Sequence, residues 1–352
     1  MQFFNHFFKD DVTNLLQTRR FETKLGERIL ILPTHIDWQE QLAKCSASFV
    51  LIGIPEDIGV EANFGKKGSS QTWQYFLENF LNIQSNDFLS GEEILLLGAF
   101  DFTSLEKPIA QNAINEMELV DALRHAVNTI DDEVEHVIKK IIDAGKIPIV
   151  IGGGHNNAYP IIKGTAKGLY KQGVLNVAQL NVINVDAHMD YRPLEGRHSG
   201  NAFRYAEEDG YLSKYFVLGF HENYISQSVW TDFVNNPTFD AISYDDIFLK
   251  EKCTFLDAMA VGFTFTDDAP VGIEIDADAI LNTQSSAYTP SGIDVNAIRQ
   301  FIYLAAIKTK PAYLHLCEGM ANETNGIGKL FTYLVSDFIK AYLQKDNNET
   351  ED

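Results

Sequence analysis

The chain is predicted to be an α/β protein, a mainly parallel β-sheet covered by helices. Apolar runs of strand length alternate with amphipathic stretches of helical period along most of its 352 residues, the pattern of a parallel sheet whose crossovers are helices. Four of these runs lead directly into turns that carry His, Asp or Glu, and open parallel sheets gather their ligand-binding groups at such strand ends. No Pro/Ser-rich linker, repeat or low-complexity tract divides the sequence, and a chain of this length can bury one sizeable core. One main domain is expected over 46–343, between a peripheral segment 1–45 and a flexible acidic tail 344–352.

The elements follow in order. The first strand is Ser48–Gly53, leading into the turn Ile54-Pro55-Glu56-Asp57-Ile58-Gly59, and a second is Ile94–Leu97. From Glu118 to Asp143, apolar Ile130, Val134, Val137, Ile138 and Ile141 recur close to the 3.6 period of a helix, which ends at Gly145. The strand Ile147–Ile151 follows, with Pro148 inside it. Further strands are expected at 180–185, 215–220, 240–244, 271–276 and 312–316, and helices at 158–171, 294–307 and 329–344.

Bulk composition excludes several functions. A formal net charge of −21 argues against nucleic acid and anionic membranes as partners. Cys45, Cys253 and Cys317 are odd in number and widely spaced, which fits reduced thiols and not a disulfide scaffold. The sequence opens with no signal-peptide pattern, and no apolar run approaches a membrane span. A cytoplasmic protein is the expectation.

The chemistry is concentrated in three short segments. Asp186, His188 and Asp190 follow the apolar run Leu180–Val185, and Asp276 and Asp278 close the run Val271–Ile275. In an extended chain, side chains two apart point the same way, so each set can converge. Four carboxylates and an imidazole at buried strand ends would repel one another unless a cation sits between them. His155, in the glycine turn Gly152-Gly153-Gly154-His155-Asn156, supplies a sixth donor. Two His and four Asp suffice for two divalent metals. Oxygen and imidazole donors without cysteine suit Mn²⁺ better than structural Zn²⁺. That donor set points to metal-activated water.

In kind and order these motifs resemble those of the ureohydrolase family: arginase, agmatinase and formimidoylglutamase. The family patterns G-G-x-H, D-A-H-x-D and x-x-D-x-D stand here as Gly152–His155, Asp186–Asp190 and Glu274–Asp278, and the resemblance runs from about Gly53 to Glu318. It implies a three-layer α/β/α sandwich around a mainly parallel eight-stranded sheet, an architecture that zinc deacetylases share. It also implies two Mn²⁺ per chain. His155, Asp186, Asp190 and Asp276 would hold the first; Asp186, His188, Asp276 and Asp278 would hold the second. Asp190 would take a hydrogen bond from the activated water. Glu318 would orient the cationic carbon group of the substrate, with Asp278 beside it. Relatives commonly form trimers or hexamers, so a homo-oligomer is expected.

The stretch after the second motif discriminates between substrates. Arginase-like members carry Asn two residues after D-x-H-x-D, followed by S-G-N-x-H. Here those positions read Arg192 and Ser199-Gly200-Asn201-Ala202-Phe203-Arg204, which resembles formimidoylglutamases. Arg192 could clamp a carboxylate with its planar fork, and Ser199 and Asn201 are expected to complete the substrate site. The expected reaction is hydrolysis of N-formimidoyl-L-glutamate to L-glutamate and formamide, a step of histidine degradation. Other readings stay open on sequence: an agmatinase- or arginase-like guanidino hydrolase, a single-metal deacetylase-like enzyme, or a non-catalytic relative. Glu274 is expected behind the metal ligands, and His198 and His221 are candidate proton carriers.

Overall fold

The structure is a computed structural model that describes residues 2–35 and 37–350. Nine strands join in one sheet: β1 (Phe4–His6), β2 (Phe49–Gly53), β3 (Ile94–Phe100), β4 (Ile147–Ile151), β5 (Leu180–Val185), β6 (Leu212–Phe220), β7 (Phe239–Ser243), β8 (Val271–Asp276) and β9 (Pro311–Cys317). Their order is β1-β3-β2-β4-β9-β8-β5-β6-β7. The eight strands expected from sequence are all present and pair in parallel. The expected count is corrected by one. β1 adds to the edge antiparallel to β3, with Phe4 opposite Phe100 and His6 opposite Gly98. Three residues are too short to show a period, and β1 pairs only because β3 continues past Leu97 to Phe100.

Because the sheet is covered on both faces, its strands read as continuous apolar runs and not as alternation. One face, with Val50, Val150, Val182 and Tyr215, packs against the helices Glu116–Asp143 and Ala158–Lys171. The other, with Leu51, Ile149, Ile273 and Leu316, packs against Thr72–Phe80, Phe255–Phe265, Val295–Lys308 and Ile327–Thr350. The three layers predicted from sequence are therefore present. Ile130, Val134, Val137, Ile138 and Ile141 are all fully buried, as their spacing requires. Pro148 is tolerated because the ladder between β4 and β9 begins only at Ile149.

The last helix reaches Thr350, so residues 344–350, expected as flexible tail, continue it; residues 351 and 352 lie outside the described residues. Among the described residues no helix is long and apolar enough to cross a membrane.

The strand order does the decisive work. β4, β9, β8 and β5 are consecutive neighbours at the middle of the sheet. Their carboxyl ends carry, in the same order, the His155 turn, Glu318, the Asp276–Asp278 pair and the Asp186–Asp190 segment.

Candidate metal centre

The glycine turn after β4 brings His155 into the site. Gly152 and Gly153 adopt left-handed φ values of 91° and 75°, which glycine reaches without steric penalty. A Cβ on Gly153 would lie 2.6 Å from the Ile54 carbonyl. Buried Glu56 anchors this turn, accepting hydrogen bonds from the N–H of Gly154 (3.1 Å), the N–H of Gly59 (2.9 Å) and Asn157 Nδ2 (2.7 Å). Sequence reading missed this role for Glu56. Its only signal was a carboxylate directly after a strand end.

The acidic segments converge, but not by strand alternation. β5 stops at Val185 and Asp190 turns left-handed at φ 44°; β8 stops at Asp276, and Asp278 lies in a single 3₁₀ turn. The Asp186 and Asp276 carboxylates cap these turns, accepting from the N–H of His188 and of Asp278, each at 2.7 Å. Glu318 is also left-handed, at φ 59°. Such backbone costs about 1–3 kcal/mol per residue and persists where surrounding structure enforces it.

His155 Nδ1 faces three carboxylates, at 3.3 Å from Asp186, 2.9 Å from Asp190 and 3.0 Å from Asp276. His188 Nδ1 lies 3.5 Å from Asp186 and 3.6 Å from Asp278. Among the described residues these four aspartates make their ion-pair contacts with the two imidazoles, and none with Lys or Arg. Burial pushes Asp276 well above the carboxylate range, and its neighbours Asp278 and Asp186 push the same way. Burial, then Asp186, raises Asp190, and burial lifts Asp278 to about 6 against the pull of His188. Burial acts on Asp186 too, but His155 and His188 outweigh it and hold that acid below its ordinary value. Burial opposes charge on His188, yet Asp186 and its neighbours raise it to about 10. The cluster by itself is balanced only by retaining protons.

A cation would replace those protons. His155, Asp186, Asp190 and Asp276 each offer a ligand atom within 4.8 Å of the others. The ring nitrogens of His155 are buried and neither is matched by a well-aligned hydrogen bond, and Glu318 Oε2 is buried likewise. The donors present therefore fit divalent cations held by oxygen and imidazole.

Above the cluster opens a cavity of about 590 Å³, lined by His188, Asp190, Asp276, Asp278, Glu318, Arg192 and Ser199, among others. Glu318 Oε1 accepts the His155 backbone N–H at 2.8 Å, while burial and then Asp278 lift its carboxyl to about 8. Arg192 stands at the rim with its Nε and Nη2 on Glu195 (3.2 and 2.8 Å). Ser199 Oγ accepts from Asn63 Nδ2 at 3.2 Å, so Asn63 joins this wall, as does Tyr224.

Asn201 corrects the sequence expectation. It is fully buried, accepts from Arg197 Nη1 (2.9 Å) and the His198 N–H (3.1 Å), and donates to the carbonyls of Gly196 and Pro193. Its amide is consumed in shaping the loop and does not line the cavity. Buried His198 is also drawn into that loop, where its Nδ1 accepts the Gly200 N–H; burial, then Arg124 and Arg192, lower it to about 4. Phe203 packs edge-on against the His155 ring, 5.2 Å between centroids, and so supports a ligand from behind.

This constellation can be set beside known proteins. A model of the arginase family matches residues 47–293. The chain belongs to the arginase family. A formimidoylglutamase of Streptococcus pyogenes is 29% identical over 181 residues, half of this chain and 47% of that relative; the chain thus spans about half the length of the curated relatives it matches. Among solved structures, formimidoylglutamase from Bacillus subtilis superposes with a TM-score of 0.70 at 16% identity, covering 93% of this chain and 94% of that one. Trypanosoma cruzi formiminoglutamase with Mn²⁺ superposes with a TM-score of 0.67 at 18% identity, covering 91% and 98%. At these identities the likeness establishes the fold.

Proposed function

We propose that this arginase-family chain is a two-manganese hydrolase of linear amidines that converts N-formimidoyl-L-glutamate to L-glutamate and formamide. One observation carries the reading. Four aspartates, three of them buried, and two imidazoles meet on the floor of a cavity, and among the described residues no Lys or Arg pairs with them. The names of the relatives, formimidoylglutamases acting on an amidine, support the substrate.

His155, Asp186, Asp190 and Asp276 would hold one cation, and Asp186, His188, Asp276 and Asp278 the other. Bound Mn²⁺ would supply a water whose pKa is lowered toward ~7. The chain's own residues orient the substrate and manage its protons. Buried Glu318 Oε2 accepts an N–H of the amidinium and fixes the planar carbon over the floor. Asp190 takes the proton of the attacking water. Water adds to the amidine carbon, the bond from that carbon to the glutamate nitrogen breaks, and that nitrogen leaves with the proton. The carbon keeps its other nitrogen and the new oxygen as formamide. Arg192 spends Nε and Nη2 on Glu195, leaving Nη1 for a substrate carboxylate at the rim. Agmatine has no carboxylate to use it.

In the same reading the protein is a cytoplasmic homo-oligomer of histidine degradation. The deciding assay supplies Mn²⁺ and follows products. Glutamate release from formimidoyl-glutamate, with no urea from arginine or agmatine, is expected; urea from either guanidine would overturn the substrate assignment.

A further inference from the structure

Beneath the metal floor lies a second buried polar layer. Glu274 sits two residues before Asp276 on β8, so it shares that residue's face one step deeper. Parallel pairing with β9 sets His315 opposite Glu274 and Tyr313 opposite Gly272. Gly272 is required for this, since a Cβ there would lie 2.4 Å from the Tyr313 ring. Glu274, Tyr313 and His315 are all fully buried, on a face otherwise packed with Val182, Leu180 and Tyr215.

A carboxylate in such surroundings needs donors. Glu274 Oε1 accepts from Tyr313 Oη at 2.6 Å, and Oε2 from His315 Nδ1 at 2.6 Å. The same Oε2 lies 3.5 Å from His155 Nε2, the ring nitrogen turned away from the three aspartates. A neutral imidazole carries one N–H. If that N–H is on Nε2, the lone pair of Nδ1 points at Asp186, Asp190 and Asp276, as a metal ligand requires.

We propose that Glu274 is a positioning residue: held by Tyr313 and His315, its carboxylate takes the Nε2–H of His155 and so presents Nδ1 to the first cation. The proposal rests on the two-cation reading above. It makes a selective claim, because Glu274 faces His155 and not His188. Removing its charge weakens one cation step and spares the other. A residue serving the fold alone would shift both steps equally or neither. Cys317 is the competing partner, since His155, Glu274, His315 and Cys317 each offer a ligand atom within 4.8 Å of one another.

The test is calorimetric titration of the metal-stripped full chain with Mn²⁺, comparing wild type, Glu274→Gln and Cys317→Ala. Two steps are expected in wild type. In Glu274→Gln one step weakens by about 10–100-fold, the range for lost outer partners of a ligating His, while the other holds. Cys317→Ala leaves both steps in place. Should Glu274→Gln fail to fold, Tyr313→Phe, which removes one donor from the carboxylate, is expected to weaken the same step to a lesser degree. Glutamate release by the variants, measured alongside, should recover as Mn²⁺ is raised.

Wild type binding two ions while Glu274→Gln binds them unchanged overturns the positioning role and leaves the proposed function standing. A step lost in Cys317→Ala but kept in Glu274→Gln overturns it in favour of the thiol. A third ion per chain overturns it too, since the buried layer would then itself be a site. Wild type binding no ion overturns both.

Discussion

Two clusters of buried charge lie close together in this molecule and solve the same problem in opposite ways. In the loop anchor, Arg197 is only 2% exposed and pairs in two-pronged fashion with Asp131 (2.9 and 3.2 Å), while its remaining donors reach Asn201 and the Asn156 carbonyl. The rings of Tyr159 and Tyr205 pack on its guanidinium. Every charge in that cluster meets its opposite inside the chain. In the metal floor, the ion-pair contacts of four carboxylates are with imidazoles alone among the described residues. Self-balanced charge marks a strut, and unbalanced charge marks a place where something from outside must bind.

The sharpest way to break the comparison is at a shared ligand. Asp186→Asn should lower amidine hydrolysis by more than about 100-fold, beyond the effect of losing an outer partner. It should also abolish the rise in melting temperature that Mn²⁺ gives the wild type. An unchanged rate would end the cage reading.

At the anchor the largest effect is on stability. Asp131→Asn strands a buried guanidinium and should cost about 3–5 kcal/mol, measured by urea unfolding of metal-free protein. A loss below about 1 kcal/mol would remove the pair as a strut.

Chelation comes next. Stripping cations present at 100 times their dissociation constant should remove about 2.7 kcal/mol per site, seen as a lower melting temperature that Mn²⁺ restores. Arg192→Ala is expected to be mildest for the fold, within about 0.5 kcal/mol. It should raise KM for formimidoyl-glutamate and leave kcat nearly unchanged, as loss of uniform binding does. A fall in kcat with KM unchanged would place Arg192 in another role.

Much of this was legible before any coordinates. The strands 147–151, 180–185 and 271–276 and the helix 158–171 stand where periodicity placed them, because runs buried on both faces and amphipathic stretches are local signals. The donors were legible as residue types at strand ends. Their convergence was inferred from two-residue spacing, yet β5 and β8 have ended or are ending where these side chains emerge, and tight turns aim them. Asn201 was misplaced for a related reason: a polar residue near a site shows its chemistry in sequence, but not which partners consume it.

By itself the sequence determined the layers, the identity of the donors and the expectation of a cation, since burial and charge are written residue by residue. Only the tertiary structure decided that β4, β9, β8 and β5 lie side by side, that His155 turns one nitrogen to the aspartates and the other toward Glu274, and that Arg197 and not Arg192 is the buried strut. Those outcomes depend on pairing between segments tens to more than a hundred residues apart, and no local pattern carries that information.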